Sequence, residues 1–495
     1  MNILLVASEV SPFAKTGGLG DVAGALPRAL AELGHQVTVL APHYPRYWSP
    51  TLHRRSTGLL LEVPIAQKTV RGEIIETSLP GSSVRVYLVD QPKYYDRAEL
   101  YRKDGQDYKD NCERFAFFSR AVFEAIPALD LEVDCLHAND WQTGLVPAYL
   151  ALEYRRQPRF AQVGSVFTVH NLAYQGKFWH WDMLLTGLDW KYFNWQQMEF
   201  YGHLNLLKTG LVFADIVTTV SHRYSQEIQT SEFGCGLEGV LRSRARDLYG
   251  IVNGIDETEW DPATDPHLAA RYDVTTFSRG KAKCKADLQR ESGLANKAST
   301  PLIGMITRLA DQKGLDLVAA VADRVLAGDV QLVVLGTGEP KYHQWMKDLS
   351  ARYPNQVAAH LTFDNALAHR IEAGADLFLM PSRFEPCGLN QMYSLKYGTI
   401  PVVRATGGLA DTIVDANPQT LATRDANGFS FREYLPEALA NTVDRALAAY
   451  RDRDLWMQLI QTAMSQDWSW RRSAQEYVDL YEKAVRKHAA AVCSS

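Results

Sequence analysis

The sequence predicts an α/β protein made of two consecutive doubly wound units. Short β-branched runs alternate with amphipathic stretches along the whole chain, the pattern of parallel sheets covered on both faces. The 495 residues exceed what one hydrophobic core ordinarily organises. A strand-like run ends at the turn signal Val252-Asn253-Gly254, close to the middle of the chain.

In the first half, strands are expected near 3–7, 36–40, 84–89, 135–138, 165–169 and 216–220. In the second half they are expected near 302–306, 331–335, 357–361, 377–380 and 400–403. Helical periodicity fits 22–33, 315–326, 366–373 and 391–397, and the stretch 456–488 reads as helical and rich in aromatic residues.

Composition narrows the function classes. Lys+Arg total 52 against Asp+Glu 57, a net charge of −5, and no basic tail points to nucleic acid or an anionic membrane. Six cysteines (112, 135, 235, 284, 387 and 493) lie scattered without a C-x-x-C pair, so neither a zinc site nor a disulfide framework is expected. No apolar run has the length of a membrane span, and the first residues read as a buried strand rather than a signal peptide. The expected location is the cytoplasm, or the plastid stroma if this is a mature organellar form.

Ligands of doubly wound sheets bind beyond the carboxyl ends of strands, so motifs there carry the chemistry. The first is Lys15-Thr16-Gly17-Gly18-Leu19-Gly20-Asp21, where glycines and a helix start favour an anion. A nicotinamide site would want an acid at the end of the second strand, but Ala41-Pro42-His43 stands there. A P-loop is excluded because no Gly-Lys-Ser or Gly-Lys-Thr occurs. The second motif, Thr307-Arg308-Leu309-Ala310-Asp311-Gln312-Lys313-Gly314, brackets a loop with two cations suited to a leaving diphosphate. The third, Ser382 to Gln391, offers the N–H groups of Gly388, Leu389 and Asn390 to phosphate, with Glu385 and Cys387 beside them. The rings Phe178, Trp179, Trp181, Trp190, Tyr192, Phe193, Trp195, Phe200 and Tyr201 could stack on sugars, although packing is expected to occupy most of them.

Taken together, these motifs and Phe167-Thr168-Val169-His170-Asn171-Leu172-Ala173-Tyr174-Gln175-Gly176 closely resemble the bacterial glycogen synthases and plant starch synthases. His137-Ala138-Asn139-Asp140-Trp141, Asn253-Gly254-Ile255-Asp256 and Thr406-Gly407-Gly408-Leu409-Ala410-Asp411 add to the match, which covers nearly the whole chain in order. The resemblance implies a GT-B architecture, two Rossmann-like domains facing an interdomain cleft. The domains would be 1–250 on the acceptor side and 251–460 on the nucleotide-sugar side, with 461–495 a helix returning to the first.

The resemblance also implies a retaining transferase that moves glucose from ADP-glucose to an α-1,4-glucan. Lys15, Gly17, Gly18, Asp21 and Asn253 then match donor-side positions, and Phe363 falls where a tyrosine usually meets the adenine. Arg308 and Lys313 look like the diphosphate pair, Glu385 the acid that engages the donor glucose, and His170 the histidine at the reacting sugar. Asp140, Asn171 and Tyr95 resemble acceptor-side residues. No metal and no cofactor are implied.

Three departures stand out. Position 393, eight beyond Glu385, is tyrosine where many retaining relatives of this fold carry a second glutamate. Asn390 replaces a more usual threonine, and Phe363 lacks the hydroxyl. The alternatives are a related transferase with another donor, such as a sucrose or trehalose-type synthase, and a glucan-binding or initiation protein without catalysis. Tyr393 argues against the first; intact Lys15, Arg308, Lys313 and Glu385 argue against the second.

Overall fold

A computed structural model describes residues 1–492, with side chains to residue 488, so Cys493 lies outside the described residues. The chain divides into two compact units: Met1–Asn253 together with the segment from Trp470, and Gly254–Ser469.

In the first unit, nine strands form one sheet in the order Leu248–Gly250, Ile216–Thr219, Gly164–Val169, Cys135–Asn139, Asn2–Val6, Gln36–Pro42, Arg85–Asp90, Lys68–Ser78, Arg55–Ile65. The first seven in that order run parallel, and the last two form an antiparallel hairpin on the edge. Residues alternate across a strand, so Leu4 and Val6 of Asn2–Val6 enter the core on one face while Ile3 and Leu5 enter the core on the other. Each is 2% exposed or less, which explains the uninterrupted apolar run at the start of the sequence.

The helix Trp470–Val492 covers the second face with Trp470, Tyr477 and Tyr481. It is pinned from within, because His137 bonds the Tyr481 hydroxyl through Nδ1 (2.8 Å) and Thr168 Oγ1 through Nε2 (2.6 Å). Burial lowers the His137 pKa to about 3, so the ring stays neutral in this link.

The second unit carries six parallel strands in the order Val357–His360, Gln331–Leu335, Leu302–Ile306, Leu377–Met380, Ile400–Arg404, Phe429–Phe431. Its core extends past residue 460. The helix Arg453–Met464 buries Trp456, Leu459, Ile460 and Ala463 there. The return to the first unit therefore starts at Trp470 rather than at 461, and the helical stretch expected over 456–488 is two helices.

Among its parallel strands, each sheet has one place where the chain reverses the direction in which it adds strands. In the first unit it lies between Asn2–Val6 and Cys135–Asn139; in the second it lies between Leu302–Ile306 and Leu377–Met380. Loops leaving such neighbours diverge to opposite faces and open a crevice at their carboxyl ends. The glycine loop and Asp140 follow the first two of these strands, and the loops 307–314 and 382–391 follow the second two; the His170 and Thr406–Asp411 motifs leave the adjacent strands Gly164–Val169 and Ile400–Arg404.

Gly314 shows how tightly the second crevice is built. Its φ is 73°, and a Cβ there would lie 2.0 Å from the Pro381 carbonyl oxygen. Gly314→Ala is expected to destabilise the second unit by about 1–3 kcal/mol through backbone strain and this clash. Denaturant unfolding followed by a probe in that unit checks it, and unchanged stability would contradict this account of the turn.

Candidate active site

At the first crevice, the loop after Asn2–Val6 passes through the glycine motif into the helix Gly18–Glu32. Lys15 Nζ pairs with Asp21 Oδ1 at 2.6 Å, with the lysine side chain half exposed. A Cβ at Gly17 or Gly18 would meet nothing within 4 Å, so open space rather than packing lies above these two glycines. Gly24 differs, since its Cβ would come within 2.6 Å of the Ser11 carbonyl oxygen.

Asp140 follows Cys135–Asn139 at φ 58°, ψ 178°, a conformation essentially reserved for glycine and costing about 1–3 kcal/mol. Its Oδ1 accepts the His170 N–H at 2.7 Å, which fixes the chain where it leaves Gly164–Val169. Burial pushes the Asp140 pKa up to about 7; the His170 N–H opposes this and the Glu9 charge adds to it.

His170 Nε2 lies 2.9 Å from Asn139 Oδ1, and the Asn139 amide nitrogen donates to the Val6 carbonyl. That pattern makes Nε2 the donor and leaves Nδ1 as the acceptor nitrogen of the ring. Burial lowers the His170 pKa to about 3, so the imidazole is neutral. Asn171 Oδ1 accepts the Ala173 N–H at 3.0 Å. Asn253 is 5% exposed, and its buried Oδ1 has no partner among the described residues.

Tyr95 does not belong with them. It is fully buried, its ring packs against Tyr44, Tyr94 and Phe117, and its hydroxyl donates to the Arg114 carbonyl at 3.0 Å. A ring enclosed in this way cannot touch an acceptor, so the expected acceptor role for Tyr95 is corrected to a core role.

At the second crevice, Lys313 Nζ donates to Glu385 Oε2 at 2.7 Å, and Ser382 Oγ donates to the same oxygen at 2.9 Å. Glu385 is 6% exposed. Arg308 is exposed and donates to Gln312 Oε1 at 3.2 Å. Gln391 Nε2 donates to the carbonyls of Cys387 and Gly388 at 3.0 and 3.1 Å, pinning the turn that opens the helix Asn390–Tyr397. Cys387 is buried at that turn.

The Thr406–Asp411 motif gains its physical reason here. A Cβ at Gly407 would lie 1.9 Å from the Glu385 carbonyl, and one at Gly408 would lie 2.0 Å from that of Cys387. The Gly408 N–H also donates to the Glu385 and Pro386 carbonyls, both at 3.1 Å. Asn390 Nδ2 reaches the Ile306 carbonyl at 3.2 Å, joining the two strand ends that flank the crevice. Phe363 stands 86% exposed just before the helix Asn365–Gly374. Tyr393 stacks on Trp260 with ring centroids 3.9 Å apart, and Trp260 stacks on His369 at the same spacing.

Sequence reasoning missed Glu9 and Trp260, and it named Ser382 and Gln391 only as the ends of a motif, without a role. Of the two missed, Glu9 gave a signal, as a charged residue shortly after the first strand. The aromatic belt also differs from expectation. Phe200 is buried, but Trp179, Trp181, Trp190, Trp195 and Tyr201 are 41–81% exposed, so packing does not account for them.

Comparison with known proteins decides the family. Residues 2–243 match the starch synthase catalytic domain, and residues 289–463 match glycosyl transferases group 1. A glycogen synthase of Anaeromyxobacter dehalogenans is 51% identical over 483 residues, covering 97% of this chain and 99% of its own. The chain belongs to the glycogen and starch synthase family. A family member from Syntrophotalea carbinolica, a glycogen synthase, is 48% identical over 490 residues, covering 99% and 100% of the two chains. Among solved structures, the catalytic domain of starch synthase IV from Arabidopsis thaliana, bound to ADP and acarbose, matches with a TM-score of 0.90. It is 34% identical and covers 98% of this chain and 99% of its own. This family member is thus a glycosyltransferase of GT-B architecture that synthesises glucan by glucosyl transfer. No described helix is long and apolar enough to cross a membrane.

The raised Asp140 pKa makes stability depend on pH. Between the unfolded value near 4 and about 7, the folded state holds more protons, so stability falls as pH rises through that window. Asp140→Asn keeps the acceptor oxygen for His170 and removes the titration. The melting temperature of Asp140→Asn relative to the parent is expected to be several degrees higher at pH 8 than at pH 5, at about 2–4 °C per kcal/mol. An offset equal at both pH values would contradict the assignment.

Proposed function

We propose that this glycosyltransferase moves glucose from ADP-glucose to the non-reducing end of an α-1,4-glucan with retention of configuration, in the cytoplasm. The observation that carries the reading is the Lys313–Glu385 pair at the carboxyl ends of two neighbouring parallel strands, beside the turn that opens Asn390–Tyr397. A buried carboxylate held by a cation at a phosphate-type crevice suits a ligand that presents both negative charge and hydroxyl groups, as a nucleotide sugar does.

In this reading, Arg308, Lys313 and Lys15 neutralise the leaving diphosphate, and the N–H groups of Gly388, Leu389 and Asn390 add fixed dipoles. With Lys313 placed between the phosphate and the carboxylate, Glu385 can accept from donor hydroxyls and support positive character at the anomeric carbon while its charge stays compensated. His170, neutral with Nδ1 as acceptor, takes a sugar hydroxyl. The departing diphosphate accepts the acceptor's proton on the face it leaves, so Glu385 need not act as a nucleophile. Charge neutralisation falls to protein cations, and no metal or cofactor is assigned a part.

Phe363 and the Tyr393–Trp260 stack support ADP-glucose as the donor. A flat exposed ring suits an adenine, and Tyr393 supplies no second carboxylate for the ribose. Asp140, Asn171 and the exposed indoles serve the glucan, whose sugar faces stack on aromatic rings.

The test is a product assay with labelled ADP-glucose and UDP-glucose in parallel, with a maltooligosaccharide primer and EDTA in excess. The expected outcome is glucan formation with higher kcat/KM for ADP-glucose. Equal or greater kcat/KM with UDP-glucose, or a rate restored only by added Mg²⁺ or Mn²⁺, would overturn the donor or the metal part respectively.

A further inference from the structure

We propose that Glu9 is a positioning residue that latches the glycine loop, and that Tyr101 is its partner in holding the latch. Glu9 is 4% exposed at the carboxyl end of Asn2–Val6, beside the place where the first sheet reverses direction. Its carboxylate accepts four hydrogen bonds. Oε2 takes the Thr16 N–H at 2.5 Å and the Gly17 N–H at 3.3 Å, and Oε1 takes the Thr16 hydroxyl at 2.6 Å and the Tyr101 hydroxyl at 2.7 Å. No lysine or arginine pairs with it among the described residues. A buried charge without a cation is costly unless hydrogen bonds replace its hydration, and these four donors do so.

The consequence reaches the ligand side. The Thr16 and Gly17 N–H groups face inward to Glu9, so they are not part of an anion nest, contrary to the simplest reading of a glycine loop. The loop is drawn down onto the strand end, which leaves the open space above Gly17 and Gly18 and sets where Lys15 projects. Tyr101 completes the latch from another segment. Its hydroxyl also lies 2.8 Å from Ser8 Oγ, and its ring packs against Trp141 at 6.2 Å, directly after Asp140. Glu9 thus touches neither donor nor acceptor; it acts through Lys15 and the glycines.

The inference rests on the reading of the loop as part of the ADP-glucose site, and the experiment separates the two. Glu9→Gln can keep all four bonds without the charge: its oxygen accepts from the two N–H groups, and its amide donates to the two hydroxyls, which reverse. Glu9→Ala keeps none. The probe is ADP, titrated calorimetrically into the parent, Glu9→Gln, Glu9→Ala and Tyr101→Phe, with melting temperature and KM for a maltooligosaccharide measured on each.

The latch predicts ADP affinity within about threefold of the parent for Glu9→Gln and about tenfold or more weaker for Glu9→Ala. Tyr101→Phe should fall between them, and the maltooligosaccharide KM should stay within about twofold for Glu9→Gln. A folded Glu9→Ala that binds ADP as the parent does would overturn the proposal. So would a Glu9→Gln as weak as Glu9→Ala, because the charge rather than the bonds would then matter. Should Glu9→Ala not fold, Thr16→Val removes one bond of the latch, and unchanged ADP affinity in that variant would overturn the proposal equally. A parent that fails to bind ADP counts instead against the proposed function.

Discussion

The ion pair between Lys313 and Glu385 is the interaction on which the second unit's chemistry depends. Glu385 sits almost without solvent, and removing one partner of such a pair leaves the other buried and unpaired, a cost of about 3–5 kcal/mol. The surrounding structure is arranged to keep both in place. Gly314 lets the chain turn within contact of Pro381, Gly407 and Gly408 let another segment pack against the backbone of Glu385 and Cys387, and Gln391 ties the turn from below. Three motifs that look separate in the sequence are the walls of one electrostatic site.

The first unit solves a related problem with neutral groups and strain. Asp140 holds a backbone conformation that almost no non-glycine residue adopts, and its carboxylate fixes the N–H of His170. Asn139 in turn orients the His170 ring through an amide whose other end is committed to Val6. The result is a neutral imidazole with a defined acceptor nitrogen. Strain of this kind persists where neighbouring structure over-determines it, as the parallel strands on either side do here.

Much of this was legible in the sequence. The parallel strands announce themselves because burial on both faces demands continuous β-branched runs, and 302–306, 331–335 and 377–380 have the bounds read from the sequence. The hairpin Arg55–Ile65/Lys68–Ser78 was not legible. Its exposed face mixes polar residues with Leu60 and Pro64, which blurs the alternation, and its turn places Ala66 at φ 52°, where asparagine or glycine would have signalled it. His170 directly follows its strand, and Lys15, Lys313 and Glu385 lie in loops beyond the carboxyl ends of theirs. Tyr95 was misread because nothing in Pro92-Lys93-Tyr94-Tyr95 shows that the short helix turns both tyrosines into the core. Glu9 was missed because its latch combines loop N–H groups with the hydroxyl of the distant Tyr101, and the role of Gln391 because its partners are backbone carbonyls of a turn whose shape the sequence does not show.

The central claim is that Lys313 and Glu385 form one electrostatic unit with the phosphates of the donor. The ADP dissociation constant measured across the parent, Lys313→Met, Glu385→Gln and the double variant tests it most directly. In the parent, Lys313 already compensates the carboxylate, so Glu385→Gln is expected to change ADP affinity by less than about twofold. In the Lys313→Met background, the carboxylate faces the phosphates unscreened, and the same substitution is expected to tighten ADP binding about tenfold. An equal effect of Glu385→Gln in both backgrounds would contradict the account.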